Sequence, residues 1–152
     1  MHLLFVCTGN TCRSPIAEFL TKTKTAALGL DWEIHSAGLF AIPGYRMSSG
    51  SQRALLRRKI EADGHESTPL TESLVRQADY IFTMTEAQRQ GLVSKFQFSA
   101  DKVFTIGAFA EDGIEGAHDV VDPFGSSDES YESCAAMLEK HIDSLIAKLM
   151  NN

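Results

Sequence analysis

Cysteine is scarce in this chain, and so are proline, tryptophan and long apolar runs. Three cysteines among 152 residues do not make the paired framework of a small secreted domain. No apolar run approaches the length of a membrane span, and Leu3 to Val6 is too short for a signal peptide. Basic residues are outnumbered, 14 Lys and Arg against 20 Asp and Glu, for a net charge of -6. That balance argues against general nucleic-acid binding. It leaves an anionic substrate open, because a local site can oppose the global sign. Cys-x-x-Cys spacing and close histidine pairs are also missing, which argues against a zinc site. These absences predict a soluble, cytoplasmic, reduced protein with no nucleic-acid or membrane partner, no metal and no cofactor.

What is present suits one globular domain over 1–152. Hydrophobic residues make up 43% of the chain and the mean hydropathy is -0.11, and single domains usually run to about 100–200 residues. Short apolar runs alternate with longer amphipathic stretches. His2–Val6 reads as a buried strand. Ser14-Pro15 predicts a helix start, with Ser14 as N-cap and Pro15 at the first helical position, ending near Gly29. Trp32–Ser36 reads as a second strand closed by Gly38. Ser49-Gly50-Ser51-Gln52 fits a capping box, with a helix through Ala54, Leu55 and Ile60. Thr71–Ala78 is a shorter helix and Tyr80–Met84 a third strand. Thr85-Glu86-Ala87-Gln88 fits another capping box, for a helix to about Phe96. Lys102–Ile106 is a fourth strand, followed by a Gly- and acid-rich loop over 107–126. Ser126 caps the last helix, whose apolar positions are Met137, Leu138, Ile142, Leu145, Ile146 and Leu149.

Strands alternating with helices imply crossover connections. The expected fold is an α/β domain, with four parallel strands in one sheet and helices on both faces. Ligands of such sheets sit at the carboxyl ends of the strands. The loops after Val6, Ser36, Met84 and Ile106 are therefore the candidate site.

The first of these loops carries the strongest signal: Cys7-Thr8-Gly9-Asn10-Thr11-Cys12-Arg13-Ser14. It runs from a strand into a helix N-terminus, where backbone N–H groups and the helix dipole favour an anion. Arg13 supplies a planar fork of donors suited to phosphate oxygens. A cysteine in such a field is favoured as thiolate, the nucleophilic form, and can attack a bound phosphoryl group. Gly9 and Asn10 tolerate the positive φ that a tight loop needs. A cysteine followed six positions later by arginine is weak evidence alone. The strand before it, Gly-Asn within it and Ser-Pro after it make it strong. The plain alternative is a buried cysteine and a solvated arginine. A phosphatase also needs an acid to protonate the leaving group. Asp122, before Pro123 and the apolar Phe124, is the candidate, although Asp-Pro alone is commonly only a turn.

The string Val6 to Pro15 resembles the active-site loop of the low-molecular-weight protein tyrosine phosphatases. Ser36-Ala37-Gly38 and Asp122-Pro123 fall where that family places its supporting loop and its acid. The resemblance spans essentially the whole chain and implies the flavodoxin-like fold of that family. It further implies a two-step, metal-free mechanism with inorganic phosphate as product. Cys7 attacks phosphorus while Asp122 protonates the leaving group. Asp122 then activates water to hydrolyse the phosphocysteine, and Arg13 and the loop N–H groups hold the oxygens throughout. By the same resemblance Asn10 bonds Ser36 and Ser14 steadies Cys7. Thr8, Gly9, Asn10, Thr11, Cys12, Ser14, Phe40 and Phe124 form the expected substrate site.

Two positions depart from the tyrosine-specific pattern. Thr11 stands where an aliphatic residue is usual, and Phe124-Gly125 where two aromatics are common. Both features resemble the bacterial branch acting on protein phosphoarginine. A guanidinium is planar and polar, so a hydroxyl at position 11 suits it better than an apolar arm. Phe40 and Phe124 can stack on either substrate and do not discriminate. The expected substrate is therefore a protein phosphorylated on arginine, with phosphotyrosine as the alternative.

Other residues carry weaker signals. The resemblance suggests a reversible Cys7–Cys12 disulfide that shields the nucleophile from overoxidation; otherwise Cys12 is a small loop residue. Cys134 reads as a core thiol, and no further cysteine supports an arsenate-reductase reading. Arg53, Arg57, Arg58 and Lys59 form a solvated basic face or a docking surface. Residues 111–143 hold ten acids against one base, Lys140, as solubilising surface or as attraction for a cationic substrate. Tyr131 is a plain helix residue or a phosphorylation site. A non-catalytic phosphate-binding module needs neither Cys7 nor Asp122, and a thiol redox protein needs no acid.

Overall fold

His2–Cys7 forms β1, an inner strand that is apolar and buried on both faces from Leu3 onward. Residues 1–111 and 119–152 are described by the structure, a computed structural model. The remaining elements are α1 (Arg13–Ala27), β2 (Glu33–Gly38), α2 (Ser49–Arg57), α3 (Glu72–Gln77), β3 (Tyr80–Thr83), α4 (Glu86–Lys95), β4 (Val103–Thr105), α5 (Ile106–Ala110) and α6 (Asp128–Met150). The four strands are parallel in the order β2-β1-β3-β4. The expected α/β fold class, with helices on both faces, is what the chain adopts.

Side chains alternate across the sheet. Leu3, Phe5 and Phe82 face α1, α2 and α6, where Ile16, Leu20, Leu55, Leu138 and Ile142 meet them. Leu4, Val6 and Ile81 face α3 and α4, where Val75 and Leu92 complete a second core. Phe5 and Phe82 are fully buried with ring centroids 5.7 Å apart. Truncating either to alanine costs about 3–5 kcal/mol. Strand order reverses beside β1, because the chain leaves it for β2 on one side and returns to β3 on the other. The crevice at its carboxyl end is open there.

Local signals and structure agree where no other part of the molecule competes. Thr85 and Gln88 form the expected capping box of α4. Helix α1 closes in a Schellman motif: Gly29 has φ +70, its N–H bonds Ala26 O at 3.1 Å, and Leu30 N bonds Thr25 O at 2.9 Å.

Several expectations need correction. Helix α1 starts at Arg13, so Ser14 is not its N-cap and Pro15 sits two residues further in than expected. Proline is still accepted there because first-turn N–H groups have no helical partner. The Ser49–Gln52 capping box is absent. Ser48 flanks α2 without capping it, and Gln52 Nε2 donates to Met47 O. That helix stops at Arg57, with Lys59 at φ +61. Ile106 opens α5 instead of closing β4, with Thr105 Oγ1 accepting from Ala108 N. The expected 107–126 loop therefore begins as helix, and 112–118 lie outside the described residues. Ser127, not Ser126, caps α6. Met137 is 37% exposed, unlike the other apolar positions named on that helix.

Candidate active site

Residues Thr8 to Cys12 link the carboxyl end of β1 to the amino end of α1, so the helix dipole points at Cys7. Gly38, at the end of β2, lets this loop lie flat on the sheet edge. A Cβ there would sit 2.6 Å from Thr8 O and 3.0 Å from Asn10 N. Leu39 N and Phe40 N bond Cys7 O and Thr8 O, each at 2.9 Å.

Asn10 is the loop's internal brace. It is fully buried at φ +58. Its Nδ2 donates to Ser14 Oγ at 2.8 Å and to Ser36 Oγ at 2.9 Å, and its Oδ1 accepts from Thr68 N at 2.9 Å. Its carbonyl oxygen lies 2.9 Å from His65 Nε2. Hydrogen positions along the chain follow from these donors. Ser36 receives the Asn10 amide and donates to Glu18 Oε1, which Lys22 balances through the other carboxylate oxygen. Ser14 likewise receives the amide, and its Oγ lies 2.9 Å from Cys7 Sγ, to which it donates when that sulfur is a thiolate. Asn10 N is a second donor to that sulfur, at 3.3 Å. Two donors thus converge on the one atom expected to carry negative charge.

Arg13 and Asp122 meet across the cleft. Arg13 is buried, its Nη1 donating to Val120 O at 3.0 Å and its Nη2 lying 3.7 Å from Asp122 Oδ2. Asp122 is half exposed, and its Oδ1 accepts from Phe124 N at 3.1 Å, which orients the carboxyl in a tight turn. Phe124 itself is 72% exposed and leaves that carboxyl uncovered. Cys7, Thr8, Gly9, Thr11, Cys12 and Arg13 line a cavity of about 440 Å³, facing Asp122, Phe40 and Phe124. Asn10 and Ser14 were expected in the substrate site. Their side chains are buried behind the loop and reach the cleft only through Cys7.

Ile42 and Tyr45 complete the cavity wall and were not foreseen. Only the Pro43-Gly44 turn hints at a projecting loop here. Tyr45 N donates to Ser67 Oγ at 2.8 Å and Tyr45 O accepts from Ser67 N at 2.7 Å, which holds Tyr45 in place. Gln88 was likewise foreseen only as a cap. Its Oε1 accepts from Met84 N and Thr85 N while its Nε2 donates to Thr8 Oγ1 at 3.1 Å.

The remaining cysteines are free and buried. Cys12 Sγ donates to Ser48 Oγ at 3.3 Å and lies 3.7 Å from Tyr131 Oη. Burial pushes the Cys134 thiol up to about 12, against the opposing pull of Arg13. Tyr131 is buried, with its ring against Gly50, where a Cβ would approach it to 2.3 Å. A tyrosine so enclosed does not present its hydroxyl for phosphorylation. Burial likewise raises its pKa. The basic stretch is engaged with α6: Arg53 pairs with Asp128, Arg57 with Glu132, and Arg58 with Glu132 and Glu139. Among the described residues no group of three or more His, Cys, Asp or Glu could hold a metal ion, and no helix is long and apolar enough to cross a membrane.

Chemically, this is a thiol held by hydrogen-bond donors at a helix N-terminus, with a guanidinium and a carboxyl across the cleft. Residues 2–152 match the profile of the family described as low molecular weight phosphotyrosine protein phosphatase. The protein-arginine-phosphatase of Bacillus subtilis strain 168 is 41% identical over 150 residues, 98% of this chain and 97% of that protein. The low molecular weight protein-tyrosine-phosphatase PtpB of Staphylococcus haemolyticus is 34% identical over 152 residues, 100% of this chain and 99% of that protein. A solved YwlE arginine phosphatase mutant with a phosphorylated active-site serine superposes with a TM-score of 0.94. It is 38% identical and covers 100% of this chain and 97% of its own.

Proposed function

Since this chain belongs to the low molecular weight phosphotyrosine protein phosphatase family, whose members are cysteine phosphatases, we propose that it removes phosphate from protein phosphoarginine through a phosphocysteine at Cys7. The Cys7 sulfur attacks phosphorus in line with the departing guanidinium nitrogen, which takes a proton from Asp122. The S–P bond forms as the P–N bond breaks. Arg13 and the loop N–H groups hold the three equatorial oxygens and gather the charge that spreads over them. Asp122, now ionised, takes a proton from water as its oxygen attacks phosphorus. Inorganic phosphate leaves and the thiolate returns. Arg13 Nη2 and Asp122 Oδ2 lie 3.7 Å apart, so charge stabilisation and proton transfer are offered side by side at the cavity.

The observation that carries the arginine reading is Thr11 in the cavity wall, on a chain 41% identical to a protein-arginine-phosphatase. A hydroxyl there can accept from a guanidinium N–H, and an aliphatic side chain cannot. Phosphotyrosine is the second reading. The exposed apolar rim of Phe40, Ile42, Tyr45 and Phe124 can flank an aromatic ring as readily as a guanidinium. The cytoplasm, where thiols stay reduced, is the compartment that suits a cysteine nucleophile. Oxidation by a peroxide would close Cys7 and Cys12 into a disulfide with loss of water, making the enzyme redox-sensitive.

The test is kcat/KM of the reduced protein on matched phosphoarginine and phosphotyrosine peptides, with Thr11→Ile alongside. Preference for phosphoarginine, reversed or reduced by Thr11→Ile, supports the reading. Preference of the wild type for phosphotyrosine overturns the substrate assignment and leaves the mechanism. Asp122→Asn should lower kcat by about 100-fold or more, least for substrates with good leaving groups.

A further inference from the structure

A second hollow of about 400 Å³ lies on the α4 side of Phe40, lined by Thr8, Leu39, Phe40, Gln88, Gly91 and Lys95 among others. Thr8, Arg13 and Phe40 border both this hollow and the catalytic cavity. The two therefore adjoin, sharing the Phe40 ring, which is 81% exposed.

Two residues of the hollow, Gly91 and Lys95, bear on what it can hold. Gly91 lies inside α4, where glycine destabilises a helix relative to alanine. Packing does not require it, because a Cβ built there would meet no atom within 4 Å. What its bareness leaves is space at the floor of the hollow. Lys95, one turn further on, forms no ion pair among the described residues, and its ammonium lies 5.5 Å from the Phe96 ring centroid. Among the described residues no carboxylate lines the hollow, while Arg13 and Lys95 do, in a protein whose net charge is -6.

We propose that this hollow is a second substrate subsite, which seats the polypeptide flanking the phosphorylated residue and directs an acidic side chain of that segment to Lys95. The inference rests on the reading of the protein as a phosphoprotein phosphatase. A small phosphate ester fills only the catalytic cavity and does not reach α4. A peptide whose phosphorylated side chain enters that cavity passes over Phe40 with one flank on Gly91. The exposed ring then packs against substrate backbone, and the glycine permits the close approach.

The experiment compares wild type, Gly91→Leu and Lys95→Glu on p-nitrophenyl phosphate and on phosphopeptides carrying phosphoarginine or phosphotyrosine with glutamate or lysine in the flank. Gly91→Leu should lower kcat/KM for peptides about tenfold, mostly through KM, and leave p-nitrophenyl phosphate within about twofold of wild type. Lys95→Glu should shift the glutamate-to-lysine flank preference by about two- to fivefold towards lysine. Gly91→Ala should raise Tm, showing that the fold does not need the glycine. Peptide kinetics unchanged in both variants, or losses that follow p-nitrophenyl phosphate, overturn the subsite while the phosphatase reading stands. A wild type that turns over p-nitrophenyl phosphate but neither phosphopeptide overturns both.

Discussion

Ser14 Oγ lies 2.9 Å from Cys7 Sγ, seven residues away in the chain, and its acceptor side is already occupied by Asn10 Nδ2. In the thiolate that the proposed mechanism uses, the serine must be the donor to the sulfur. Ser14→Ala then removes one of two donors to that thiolate. A hydrogen bond to a charged group is worth about 1.5–3 kcal/mol, so kcat should fall about 10- to 100-fold. Rate measurements with iodoacetate across pH, run on the same variant, should show a less reactive Cys7 at neutral pH. A change in kcat of less than about twofold would remove this hydroxyl from the mechanism.

Gly38 is the narrowest point between β2 and the phosphate loop. Gly38→Ala sets a methyl against Thr8 O and Asn10 N, both main-chain atoms that cannot swing aside. The expected cost is about 1–3 kcal/mol of stability, together with weaker binding of inorganic phosphate as the loop shifts. Guanidinium unfolding and phosphate inhibition of the folded variant measure the two effects separately. Unaltered phosphate inhibition would show that the loop tolerates the displacement.

Cys134 is enclosed beneath α6 with its thiol pushed up to about 12 by burial. Native protein treated with iodoacetamide at pH 8 should therefore acquire label on Cys7 and none on Cys134, as read by peptide mass mapping. Inorganic phosphate should protect Cys7, and guanidinium should open Cys134. Native labelling of Cys134 at a rate comparable to Cys7 would contradict its placement.

His141 gives the protein an acid-sensitive limb. Burial on α6 lowers its pKa from the ordinary value near 6.5, Glu111 opposing and Lys140 reinforcing. Above pH 6.5 the imidazole is neutral whether the chain is folded or not, and it contributes no slope. Below it the unfolded chain takes up the proton first, so stability is lost as pH falls from about 6.5 towards the depressed folded value. His141→Gln should flatten that part of the profile. Denaturation midpoints at pH 7.5 and 5.5, compared between wild type and variant, report the difference. Equal losses would assign the slope to other groups.

Elements governed by short-range chemistry were legible in the sequence. Thr85 with Gln88, Gly29 after α1 and the apolar run of β1 each did locally what their residue types favour. Two failures lie at helix starts. Ser14 does not cap α1 because Cys7 and Asn10 claim its hydroxyl. Ser49 does not cap α2 because the helix already begins there, and the flanking Ser48 is engaged with Cys12 and Ser51. At both places contacts with the loop after β1 compete with the helix end. Cys7, Arg13 and Asp122, the residues proposed for the chemistry, were marked by motif and order. Ile42, Tyr45, His65 and Thr68 were not, since nothing local to them indicates that the chain returns to the loop from residues 42–68.

Tyr131 joins the two ends of the molecule, its ring seated on Gly50 and its hydroxyl 3.7 Å from Cys12 Sγ. During synthesis Cys7 and Arg13 emerge early, whereas Asp122 and the helix bearing Tyr131 emerge last. On the proposed mechanism, a nascent or truncated chain thus bears the nucleophile but has no acid to set beside it. Turnover then becomes possible only when Asp122 and α6 are in place, which would make catalysis itself a reporter that the chain has finished folding.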